Sequence, residues 1–158
     1  MPKPITQLIP DFREALKDGI KDAAENIVDG LIEEGPYWDG VFAASWQVKK
    51  GQRAIATYPL GMRSSARSRQ ASTKPKGAER KAIMPFIPNN ENLEGYTIGN
   101  MTRYRGYAMD LVPTDFGRQG GRAKNATADP DWFINYYQGE EMRNRYDEAM
   151  TNVFKKYK

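Results

Sequence analysis

Asp39-Gly40-Val41-Phe42-Ala43-Ala44-Ser45-Trp46-Gln47-Val48 is the stretch on which the fold turns. Its alternate residues Phe42, Ala44, Trp46 and Val48 fall on one face of an extended chain, the period of a half-buried strand. Lys50-Gly51-Gln52 supplies a turn. Arg53-Ala54-Ile55-Ala56-Thr57-Tyr58 then suits an antiparallel return before Pro59 interrupts pairing, so a β-hairpin is expected over 41–58. Trp46, on the apolar face, is expected in the core.

Upstream, Phe12, Leu16, Ile20, Ala24, Ile27 and Leu31 recur at spacings of three and four among charged residues, which predicts a helix over 10–34. Pro10 suits its first turn, Asp11 and Glu14 suit the positive helix end, and Gly35-Pro36 ends it. Downstream, residues 61–82 break every pattern. GMRSSARSRQASTKPKGAERKA holds Arg63, Arg67, Arg69, Lys74, Lys76, Arg80 and Lys81 against one acidic residue and almost no apolar content, so an extended basic arm, exposed and mobile when free, is expected. Pairing chemistry resumes at Gly95-Tyr96-Thr97-Ile98-Gly99-Asn100 and at Tyr104 to Val112, a second hairpin over 95–112. A Gly-, Asn-, Thr- and Arg-rich loop over 113–128 follows.

Asp129-Pro130-Asp131 reads as a helix start, with Asp129 as cap, for a closing helix over 129–157. Its stripe is Phe133, Tyr137, Met142, Tyr146, Ala149, Met150, Val153 and Tyr157, and Gly139 marks a place for a bend. The expected fold is a single α+β domain over 1–158. In it a small antiparallel sheet of about four strands packs with long N-terminal and C-terminal helices.

Composition narrows the function. The chain of 158 residues contains no cysteine and no histidine. Disulfides and thiolate sites are thereby excluded, and the commonest general base and metal ligand are both missing. Carboxylate, Lys, Tyr and Ser chemistry stays open in principle. The doublets Glu33-Glu34 and Glu140-Glu141, however, point in divergent directions on a helix and suit solvated faces better than a catalytic dyad. Gly117-Arg118-Gln119-Gly120-Gly121-Arg122 lacks the strand-loop-helix context of a phosphate cradle. No catalytic residue, cofactor or metal is expected, and the reading is a non-enzymatic structural subunit. Met1 to Pro10 carries no signal-peptide core and no long apolar run follows, so a soluble chain without a membrane partner is expected.

Charge is segregated: residues 1–35 hold four basic and eight acidic side chains, leaving +8 on residues 36–158 within a total of +4. Such asymmetry suits opposite faces meeting head to tail between subunits, or one face turned to an acidic partner. For the basic arm, an acidic neighbour such as the first helix of another subunit is one partner. Nucleic acid is another, although no aromatic lies within 61–82 to stack a base. A small basic nucleic-acid-binding protein is therefore the alternative function. Trp38 and Trp132, near element ends, are the tryptophans that a partner would reach.

The stretch Asp39 to Val48 resembles the Thr-Gly-x-Leu-Arg-x-Ser-Trp-x-Val entry strand of the phage tail-completion family, the head-to-tail joining proteins of tailed bacteriophages. Thr97-Ile98-Gly99-Asn100 with Tyr107-Ala108-Met109-Asp110-Leu111 resembles that family's Ile-x-Asn-x-x-Pro-Tyr-Ala-x-x-Leu-Glu-x-Gly block. The order of helix, hairpin, long loop, hairpin and helix also agrees. Val41-Phe42-Ala43 departs from the Leu-Arg region, Arg105-Gly106 stands where Pro is common, and Val112-Pro113 replaces Glu and Gly. The resemblance implies fold-keeping roles for Gly40, Ser45, Trp46, Asn100, Tyr107, Ala108 and Leu111. It also implies a homo-oligomer, a hexameric ring at the virion neck or tail top, made in the host cytoplasm. The ring would contact connector and tail proteins and touch genomic DNA nonspecifically in its channel. Terminator and stopper roles both remain open.

Overall fold

A 30-residue helix, α1 (Ile5–Glu34), organises the computed structural model, in which residues 4–37, 40–59, 75–103, 105–109, 128 and 131–156 are described. At ~1.5 Å per residue it extends about 45 Å. It begins five residues before the expected start, so Pro10 sits in its second turn. A proline there removes one bond, to the Thr6 carbonyl, near an end where few bonds exist to lose. The buried face is Ala15, Gly19, Ala23, Ala24, Val28, Gly30, Leu31 and Ile32. The expected stripe is thus rotated by about one residue: Ala24 and Leu31 are buried, Leu16, Ile20 and Ile27 are half-buried, and Phe12 is exposed. Small residues cause the rotation, because a neighbouring backbone comes closest where side chains are shortest.

That neighbour is the closing helix, which is divided in two. Beyond Asp131, in the left-handed region at φ 62°, α4 (Trp132–Gln138) runs to Gly139, whose extended backbone (ψ −177°) ends the helix before α5 (Glu140–Lys156) begins. Gly139 therefore marks the expected bend as a full break; the proposed cap Asp129 lies outside the described residues. α5 packs antiparallel to α1. Phe154 meets Phe12 with ring centroids 5.6 Å apart, Met150 lies over Gly19, and the Arg145 carbonyl accepts from Asn26 Nδ2 at 3.4 Å. A Cβ at Gly19 would fall 2.7 Å from Met150 Sδ, and α5 answers with its own small buried residues, Ala149 and Val153. On α4 the buried residues are Trp132 and Tyr136, while Tyr137 and Ile134 face outward.

The sheet has two strands among the described residues, where about four were expected. β1 (Trp46–Lys50) pairs antiparallel with β2 (Tyr96–Asn100), with Trp46 opposite Asn100 and Lys50 opposite Tyr96. Gly51, at φ 66°, closes the ladder by donating to the Gly95 carbonyl at 3.0 Å. The hairpin expected over 41–58 does not form. Val41 to Ser45 is a turn and a 3₁₀ segment (Ala43–Ser45), with Gly40 at φ 80° and Ala44 N–H donating to the Gly40 carbonyl at 2.9 Å. The Ala43-Ala44 pair has little strand preference, and the Ser45 hydroxyl donates back to the Val41 carbonyl, so the backbone satisfies itself locally. Residues 53–58 pass beside β2 without a ladder, tied by Arg53 N–H to Thr97 Oγ1 at 3.3 Å and Tyr58 N–H to Met101 O at 2.8 Å.

The second expected hairpin also gives way: after β2 the chain enters a short helix, α3 (Arg105–Met109), and Leu111 lies beyond the described residues. Another short helix, α2 (Ala78–Ile83), occupies the end of the expected basic arm. Asn89 and Glu91, in the segment that follows, reach back to α1, accepting from Lys21 at 2.8 Å and Lys17 at 2.9 Å. The core collects where these pieces meet: Val28, Leu31 and Ile32 of α1, Phe42 and Trp46, Val48, Ile87, Ala108, Trp132 and Tyr136. The architecture is α+β, with long helices against a small antiparallel sheet. No described helix is long and apolar enough to cross a membrane.

Candidate assembly surfaces

Five of the seven residues matched to the phage motif converge on one buried node. Asn100 is 0% exposed; its Nδ2 donates to the Phe42 carbonyl at 2.8 Å, and its Oδ1 accepts from Thr102 N–H at 3.0 Å and Thr102 Oγ1 at 2.8 Å. This local turn carries the chain out of β2 toward α3. The Ser45 carbonyl accepts from Met101 N–H at 2.9 Å, which locks the 3₁₀ segment to the end of β2. Trp46 packs edge-on against Phe42 (5.6 Å, 74°), and Phe42 against Trp132 (6.2 Å, 89°). Trp132 Nε1 donates to the Ala108 carbonyl at 2.7 Å, so Trp132 is a core residue and not an exposed anchor. Gly40 supplies the positive φ at the node's entry. Tyr107 falls within α3, and Trp38 is outside the described residues.

The basic residues divide. Arg63, Arg67, Arg69 and Lys74 lie outside the described residues, Lys76 and Lys81 are exposed as expected, and Arg80 alone departs from that expectation in being half-buried. Arg80 Nε pairs with Asp29 at 2.9 Å and Nη1 with Glu33 at 3.2 Å, so this cation engages the acidic first helix of its own chain. Arg145 meets the same two carboxylates at 3.4 and 2.7 Å and reaches Glu141 at 2.8 Å. At Glu33, burial opposes the charge, but the hydrogen bonds from Arg145 and Arg80 outweigh it and hold the carboxyl below its usual range. Burial likewise works against the Arg145 charge, which its bonds to Glu33 and Glu141 more than restore. Tyr136 donates to the Ile27 carbonyl at 2.9 Å, and burial pushes its hydroxyl pKa upward. The cluster fastens α2, α4 and α5 to α1. Two arginines satisfy its carboxylates, which leaves it poorly suited to bind a cation.

An open groove of about 570 Å³ between α1 and α5 is lined by Asp22, Glu25, Asn26, Ala149, Asn152 and Lys156. Its mixed, solvated charges enclose no apolar ligand. Among the described residues, no three carboxylates gather where they would hold a metal.

The surfaces that stand out are apolar. Ile5, Leu8, Ile9 and Phe12 are between 48% and 77% exposed, and their spacing of three, four and seven lines them along one face at the start of α1, where Phe12 meets α5 through Phe154. At the opposite end of the helical layer, Ile134 and Tyr137 are 47% and 59% exposed, with Tyr137 stacked on Phe133 at 6.1 Å. Phe86, on the segment after α2, is the most exposed large apolar side chain among the described residues. Sequence reasoning placed Phe12 on the core stripe of α1 and Tyr137 and Tyr146 on the apolar stripe of the closing helix, where the structure exposes them, and missed Ile5, Leu8 and Ile9, although the spacing of 5, 8, 9 and 12 is legible once the helix is begun before Pro10. Comparison of the chain with protein-family models, curated proteins and solved structures finds no match.

Proposed function

We propose that this chain is a structural virion protein, a ring-forming subunit of the neck or tail top of a tailed bacteriophage that joins tail to head around the DNA channel. The observation that carries self-assembly is the apolar face of Ile5, Leu8, Ile9 and Phe12, left in water at the end of a helix that is otherwise well packed. Large contiguous apolar patches on a protein surface mark sites of interaction with a partner. The neck assignment rests on the motif resemblance. The gathering of Gly40, Ser45, Trp46, Asn100 and Ala108 at one node supports that resemblance by giving the matched positions a common packing purpose. The chain acts by contact and carries no reaction.

The test joins two measurements: the mass in solution by sedimentation across a wide concentration range, and images of the assemblies and of particles that contain them. Closed rings of a fixed copy number are expected. A chain that stays monomeric at every concentration and appears on particles as isolated single copies overturns the proposal. Steeply salt-dependent binding to a nonspecific duplex by such a monomer would favour a nucleic-acid-binding protein instead.

A further inference from the structure

The two apolar surfaces lie at opposite ends of the helical layer. Phe12 and its partner Phe154 mark one end. The other lies where Tyr136 bonds the Ile27 carbonyl and Trp132 packs near Gly35. Some twenty residues of α1 separate these levels, about 30 Å at ~1.5 Å per residue, so the surfaces of one copy do not cover each other.

Their rims carry opposite charge. Phe154 is followed by Lys155 and Lys156 at the end of α5, while Asp131 precedes α4 and Glu140 follows it. The acidic residues at the first end, Asp11 and Glu14, have partners within the chain, Glu14 with Lys17 at 2.8 Å. Two copies meeting through the same α1 face would bring Lys155 and Lys156 against their own counterparts. Meeting α1 face to α4 face brings those lysines to Asp131 and Glu140.

Building on the ring-forming reading, we propose that the Ile5–Phe12 end of α1 docks on the Ile134 and Tyr137 face of α4 in a second copy of this chain, a head-to-tail contact that each subunit makes twice. Such heterologous contacts close into rings when the rotation permits. Ile9, at the exposed outer turn, and Tyr137, a large ring at low entropic cost, are the anchors at the centre of the contact.

The test uses two surface variants of the full chain, Leu8→Asp with Ile9→Asp on one face and Ile134→Asp with Tyr137→Asp on the other. Each alone should be monomeric by sedimentation, with thermal unfolding like the wild type. Mixed one to one they should form a dimer and stop there, because only one intact contact remains between them. Glu140→Lys should weaken assembly about tenfold or more, and adding Lys155→Glu and Lys156→Glu to the same chain should restore it. If the α4 variant assembles like the wild type while the α1 variant does not, the contact is α1 face to α1 face and the inference falls, while the ring reading stands. A mixture that stays monomeric overturns the inference as well. A wild type that never assembles overturns both.

Discussion

Asn100 serves three partners with one fully enclosed amide: it donates to the Phe42 carbonyl and accepts from the Thr102 amide and hydroxyl. Removing the side chain strands groups that water cannot reach, each at about 1–3 kcal/mol, so Asn100→Ala should lower unfolding free energy by about 3 kcal/mol or more. Asn100→Asp should be worse, because a carboxylate cannot donate to Phe42 and would bury its charge. Denaturant unfolding of both variants checks the order; an Asp variant more stable than Ala would show that the node admits water. Trp46 gives a complementary case. It is buried at the sheet end, yet its Nε1 has no hydrogen-bond partner among the described residues. Trp46→Ala should therefore cost about 3–5 kcal/mol, whereas Trp46→Phe, which keeps a ring, leaves a smaller cavity and removes the unpaired donor, should cost clearly less. Equal losses would show that Nε1 is satisfied by water. The burial of Trp46 was legible from its place on an apolar face. The role of Asn100 was not, since a polar residue at the end of a strand gives no sign of enclosure until three partners surround it.

Elements were legible where one periodicity dominated and lost where short-range bonding competed with it. α1 and the closing helical region follow from their spacing, and the break at Gly139 from a residue of low helix propensity. Phe42, Ala44, Trp46 and Val48 alternate as a strand should, but Val41, Phe42 and Ala43 are all buried, an enclosure on every side that alternation cannot express. The same limit hid the packing face of α1, because Ala15, Gly19 and Ala23 carry too little apolar area to draw attention, yet set the closest approach of α5. Fastening of α5 to α1 also uses the arginine-carboxylate cluster, which has a definite pH signature. Because Glu33 has a lowered folded pKa, its contribution is fully present above its unfolded pKa, about 4.3, and is lost as pH falls through the lower folded value. Partial exposure and solvent screening keep the effect small, about 1 kcal/mol at neutral pH. Arg145→Gln should remove the share that Arg145 supplies and leave the share from Arg80, so the stability gap between wild type and variant should narrow on going from pH 6 to pH 3. A gap that widens with acid would mean that Arg145 stabilises α5 through packing of its stem alone.

At the scale of the whole molecule, the two ends of the helical layer carry unlike rims, both drawn from residues 131–156 and not from the acidic stretch 1–35, and the contact proposed between them should depend on salt in a particular way. The apolar anchors Ile9 and Tyr137 would hold the contact once formed, whereas Lys155, Lys156, Asp131 and Glu140 at the rims would mainly guide encounter, a division in which salt acts on the association rate. Screening shortens the reach of these charges from about 10 Å at 0.1 M ionic strength to about 3 Å at 1 M. The mixed pair of surface variants, each keeping one intact face, isolates a single bimolecular step suited to stopped-flow light scattering. Its association rate should fall about tenfold between roughly 50 and 500 mM salt, while its dissociation rate changes little. Dissociation that accelerates strongly with salt would place the ion pairs at the centre of the contact and not at its edge. An association rate that rises with salt would mean that the meeting ends repel, and the head-to-tail arrangement would have to be abandoned.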